Sequence, residues 1–362
     1  MRISTLALRA PRRLATSRWL RPLAVFAAAG VAVTSLASPA LAGPPPAPIA
    51  IPVGNHPWGI AADSVTHTVY VANELSGTVS VISEANNAVI DTITVGVDPQ
   101  GVAVDPNTNT VWVDNDGSGT VSVISAATNT VIQTVPVDIN GVNEGPWTTV
   151  VDAPTHTVYV GLYLGFIMAV SDQTYATNLV YTTNPASHIS VWAVDPSTSS
   201  LLAITQDTNQ FVSIDTTTYA SKVRYDAPDL PSCAAIELNA AGAGDHTFLG
   251  MFNFPDVFIY PVGNAGVPSG PAIQVPTAAA GVMAIGVDAS RDTAFFLENT
   301  NGVAGPGTVS IITGASTANP QIAANVAVGN SPLRLTVDPS DGPAGTVFVT
   351  NSGANTVTAF AE

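Results

Sequence analysis

The groups able to move protons or hold metal ions are few in kind: five histidines, one cysteine and 26 acidic residues. His188 with Glu144 or Glu298 is the one imidazole–carboxylate pairing the chain offers for general acid–base work, the chemistry that would open a cyclic ester. A metal held by carboxylates and amides could serve the same end. Asp114-Asn115-Asp116-Gly117-Ser118 starts like a calcium loop, with oxygen donors at alternate positions. Its twelfth residue is Ser125 where an EF-hand needs Glu, so that motif is excluded and only Asp114 and Asp116 remain as candidate calcium ligands. His67 and His156 recur in Thr-His-Thr and, with His246, are expected as hairpin surface residues. No His-x-x-x-His or Cys-x-x-Cys spacing occurs, so no dedicated zinc site is expected. Cys233, flanked by Ala234 and Ile236, reads as a buried, inert thiol, and a lone cysteine excludes an intrachain disulfide framework.

A second set of residues suits binding better than turnover. Trp58, Gln100 and Trp147 follow Pro57, Pro99 and Pro146, and Asn73, Asn115, Asn299 and Asn351 recur at one kind of turn. Aromatic faces with a few amides and carboxylates suit a carbohydrate, a peptide or a cationic small molecule. The competing reading is that the tryptophans fill gaps between repeats and the asparagines close turns.

The elements that must carry these residues repeat along the chain. Gly59-Ile60-Ala61-Ala62-Asp63 precedes Thr68-Val69-Tyr70-Val71-Ala72-Asn73, and Gly101-Val102-Ala103-Val104-Asp105 precedes Thr110-Val111-Trp112-Val113-Asp114-Asn115. Each pair continues into Thr-Val-Ser-Val-Ile-Ser and then a Val-Ile-x-Thr segment, short β-branched runs bounded by turn residues. Asp63, Asp105, Asp152, Asp195, Asp288 and Asp338 mark six units, and Asn239 marks a degenerate seventh, at spacings of 42 to 50 residues. Four strands at that period predict an all-β, seven-bladed β-propeller. The last unit stops one strand short, and the spare strand lies at 48–53. Added to the last blade, it closes the ring and removes the unpaired edge. The marker aspartates fall at turns on the opposite face, where each accepts hydrogen bonds from its own turn.

These units, with Tyr70-Val71-Ala72-Asn73 and Tyr159-Val160 at equivalent places, resemble the YVTN-type β-propeller repeats of secreted and surface-layer proteins. The resemblance runs over residues 49–362 and is loose between about 220 and 320, where Phe248, Phe252, Phe254 and Phe258 are expected to pack differently. It implies the ring and little chemistry, because such propellers serve many functions. In such rings the loops into the innermost strands and those between second and third strands share one face around a central channel. That face is the expected site.

Residues 1–42 read as a secretory signal: six arginines, an apolar run from Leu23 to Leu36, then Ala40-Leu41-Ala42. A proline-rich tether at 43–48 follows, and 49–362 form one domain. The chain after the signal keeps Lys222, Arg224, Arg291 and Arg334 against 26 acidic residues, a formal charge of −22. Such a surface repels nucleic acid and anionic lipid. The expectation is a secreted or cell-envelope monomer, without a transmembrane span once the signal is cleaved. It would bind a protein, peptide or carbohydrate, with no cofactor beyond a weak calcium candidate. The alternative is a lactonase-like hydrolase or lyase.

Overall fold

The computed structural model describes residues 47–183, 188–226, 231–237, 246–251, 256–261, 272–277, 281–299, 305–340 and 345–362. The signal, most of the tether, Asn239, Phe252 and Phe254 lie outside them. Seven four-stranded antiparallel sheets follow one another. Blades 1 to 6 span 57–94, 99–136, 146–182, 189–226, 231–276 and 282–330. Blade 7 joins Pro332–Asp338, Thr346–Asn351 and Thr356–Ala361 to Ile49–Pro52, which pairs antiparallel with the last strand, Ile51 opposite Val357. The strand left over at the start of the repeats thus closes the ring.

Side-chain alternation explains how the blades stack. In a strand, successive residues face opposite ways. Tyr70 and Ala72 of blade 1 pack with Val111 and Val113 of blade 2, whereas Val69 and Val71 pack with Phe348 of blade 7. Trp112 and Tyr159 repeat the Tyr70 position and face the following blade. Each second strand is therefore buried on both sides, as Thr110–Asn115 is at every position, while outer strands such as Ala88–Thr94 are largely exposed. Seven apolar clusters fill the seven gaps between neighbouring blades, and the one holding Ile51, Val69 and Phe348 closes the circle. Burying each Val, Ile or Phe contributes about 1.5–3 kcal/mol, so interblade packing is the main stabilising term.

The marker aspartates organise the turns, as the sequence implies. Asp63 accepts from the Val65 and Thr66 amides and from the Thr66 hydroxyl, and Asp105 repeats the pattern with Asn107 and Thr108. Two residues past the aspartate's amide partner the chain turns left-handed, at His67, Asn109 and Ser199. In the degenerate blade, Phe248 is fully buried toward blade 6, and Phe258 packs on the other face with Leu249 and Tyr260. His246 departs from the expected surface position: it lies inside a strand and is 8% exposed. Among the described residues no helix is long and apolar enough to cross a membrane.

Candidate functional site

The innermost strands all begin on one face. Proline opens five of the seven, at Pro57, Pro99, Pro146, Pro231 and Pro332, and fixes the backbone there; the residues after the first three are turned toward the channel mouth. The ring brings Trp58, Gln100 and Trp147 together: they line a cleft of about 470 Å³ with Asp116, Asn143, Glu144 and Tyr163. The same three residues line a smaller space of about 120 Å³ farther down, with Thr148, Trp192 and Arg334. The cleft therefore leads into the channel.

The walls are aromatic. Trp147 meets Tyr163 edge-on at 5.7 Å between ring centroids, and its indole N–H donates to the Ile189 carbonyl at 2.8 Å, locking it across to blade 4. Trp58 sits 5.8 Å from the His56 ring, and its own buried indole N–H has no hydrogen-bond partner among the described residues. Glu144 Oε2 is likewise buried and unpartnered. At the rim Glu74 is held by His56, 2.5 Å away, and accepts from the Gln100 amide at 3.3 Å. Burial, and then the Asp98 and Glu74 carboxylates, raise the pKa of Asp116.

The floor holds a charge the sequence reading passed over. At the second inward position the innermost strands carry Gly59, Gly101, Thr148, Val191, Cys233 and Ala284, and in blade 7 Arg334. Its guanidinium lies 5.2 Å from the centroid of Trp192 in blade 4 and 5.9 Å from that of Trp58 in blade 1. No carboxylate of the described residues pairs with it, and burial lowers its pKa. Its presence at a position otherwise kept small was the one signal available in the sequence. Cys233 is fully buried, and its thiol is pushed up to about 12 by that burial.

Other candidates are placed elsewhere. Asn73, Asn115 and Asn351 are 0% exposed. Each side-chain amide donates to two hydroxyls of the next strand: Thr78 and Ser80, Thr120 and Ser122, Thr356 and Thr358. They brace blades and offer no surface to a ligand. Asn299 and Glu298 are also buried, at 2% and 0% exposure. Asp114 lies in the strand Thr110–Asn115, and Asp116 in a short 3-10 turn, Asp116–Ser118. Only Asp116 reaches the cleft. Asp114 is entirely buried beneath Gly101, where an added Cβ would meet its Oδ2 at 2.1 Å, and burial raises its carboxyl well above the usual range.

His188 takes neither expected partner. Its Nδ1 lies 3.1 Å from Asp207, which also accepts from the His188 backbone N–H at 2.8 Å. The imidazole rests against Tyr163, with centroids 4.0 Å apart. Asp207, Tyr163 and Arg334 are thus the residues of this region that sequence reasoning missed.

No protein-family model matches the chain, and no curated protein matches it in sequence. Its fold is shared with solved structures. Kuenenia stuttgartiensis hydrazine synthase superposes with a TM-score of 0.68 at 15% identity, over 85% of this chain and 96% of that chain. The β-propeller domain of Myceliophteria thermophila Cps50 (Swd1) does so with a TM-score of 0.61 at 10% identity, over 85% and 97%. Likeness at such identity shows the propeller fold and nothing of the chemistry.

Proposed function

We propose that this chain is an exported binding propeller whose channel-mouth cleft captures a carbohydrate. The observation that carries the reading is the pairing of aromatic walls with two orphaned polar atoms. Trp58, Trp147 and Tyr163 offer apolar faces, while Trp58 Nε1 and Glu144 Oε2 are a buried donor and a buried acceptor without partners among the described residues. An unpartnered buried polar group costs about 1–3 kcal/mol, which a ligand that is both donor and acceptor would recover. A sugar ring has that character: apolar faces to lie on indole rings and hydroxyls that both accept and donate. The cleft's volume falls in the range usual for small-molecule sites. The basic leader and apolar run of residues 1–42 support export, and the formal charge of the remaining chain argues against nucleic acid.

The hydrolase reading has less support. It asks for an imidazole with an acidic partner aimed at the ligand; His188 has such a partner in Asp207, but its ring rests against Tyr163 and is not among the residues lining the cleft. Intrinsic tryptophan fluorescence, titrated with soluble cell-wall and plant-wall oligosaccharides, tests the proposal. Saturable quenching is expected, weakened at least about tenfold by Glu144→Gln. An absence of saturable binding by a folded protein across that set would remove the carbohydrate reading.

A further inference from the structure

On the face opposite the cleft, three interblade seams carry a matched pair of acids. The residue after the third strand is Glu84 in blade 1, Asp172 in blade 3 and Glu362 in blade 7. In each case its backbone N–H donates to the turn residue across the hairpin: His67, His156 and Gly345. Each acid also faces the marker aspartate of the preceding blade, Asp338, Asp105 and Asp288 respectively. Two buried carboxylates at close quarters repel and need a proton or a cation between them.

Arg291 bonds Asp288 and lies 3.3 Å from Glu362, so a guanidinium bridges that pair. Asp172 hydrogen-bonds Asp105, with His156 Nδ1 3.0 Å away. At the seam between blades 7 and 1, Asp338 is 0% exposed and its Oδ2 has no hydrogen-bond partner among the described residues. In Asp63, Asp105 and Asp195 that oxygen is taken by a threonine hydroxyl. His67 Nδ1 lies 3.5 Å from Glu84 Oε2, and one ligand atom from each of His67, Glu84 and Asp338 falls within 4.8 Å of the others.

We propose that His67, Glu84 and Asp338 bind a divalent transition-metal cation of zinc's class. Two ligands bonded at about 2.0–2.2 Å to a tetrahedral metal lie roughly 3.3–3.6 Å apart, the spacing His67 and Glu84 already have. The imidazole nitrogen argues for zinc over calcium, which takes six to eight oxygens. His67, whose side chain is 54% exposed, gives the ion a path from solvent and leaves a fourth position for water. The bound ion would link blade 1 to blade 7, across the seam where the ring closes, and its binding would add to folding stability. This site stands apart from the carbohydrate proposal.

The test is calorimetric titration of the chelator-treated full chain with zinc, manganese and calcium, paired with thermal melts and with cobalt(II) absorption. One zinc equivalent, a raised melting temperature and visible cobalt bands are expected. His67→Asn should lower zinc affinity by more than about tenfold, since even outer-shell changes cost that much, while His156→Asn should leave it unchanged. The His67 variant should fold, because Asn109 takes the same left-handed turn position in blade 2. Absence of zinc binding, calcium binding in its place, or binding that survives His67→Asn would overturn the assignment.

Discussion

Replacing Glu362 by Gln isolates one buried proton. The Glu362 side chain is 4% exposed, and its carboxyl is pushed up to about 8. Burial is the largest cause, followed by the charge of Asp288 and the hydrogen bond to it, with Arg291 opposing. The folded protein therefore keeps a proton that the unfolded chain releases near pH 4.5, and stability falls as pH rises from there to about 8. At pH 7 the interval above the ordinary value is about 2.5, and at ~1.4 kcal/mol per pH unit the loss is about 3.4 kcal/mol. Gln keeps an N–H donor toward Asp288 and has no proton to lose, so the variant should recover that amount. With an unfolding entropy of ~2.1 cal/mol/K per residue over roughly 310 residues, this is about 5 °C in Tm. Melts of both proteins from pH 4 to 9, followed by circular dichroism, give the difference directly, and the many other acids cancel. The gap should be near zero at pH 4, widen through pH 7 and level off above about 8. Parallel curves, or a variant less stable at pH 7, would refute the shared-proton account.

Asp114→Asn removes a fully buried carboxyl whose pKa burial raises. The same sign applies: the variant should be the more stable above the ordinary carboxylate range, by a margin that grows with pH in urea titrations. Asn115→Ala breaks two donations to Thr120 and Ser122 and one acceptance from Gly96, and should cost about 2–4 kcal/mol in chemical denaturation. Arg334→Met keeps the stem and removes the cation between Trp58 and Trp192. Because burial disfavours this unpaired cation, stability should be held or rise, with a shifted tryptophan emission; a marked loss of stability or an unchanged spectrum would place the guanidinium elsewhere.

The ring and its seam were legible because a propeller is written locally. A repeat of strand-sized β-branched runs, an aspartate at six of the first turns and a missing final strand follow from backbone sterics and hydrogen bonding within a blade, and the structure carries them in Ile49–Pro52 and Asp63. Trp58, Gln100 and Trp147 were legible too, since the repeat gives them one address and the ring turns that address to the channel mouth. Asn73, Asn115 and Asn351 share an address as well, but it points into their own blades. The partner of His188, the floor at Arg334 and the seam of His67, Glu84 and Asp338 depended on the tertiary structure. The floor and the seam join residues some 140 to 280 positions apart, from blades that meet only when the circle closes. His188 and Asp207 lie closer in sequence, yet they pair through the facing ends of two strands, a relation that repeat spacing does not encode.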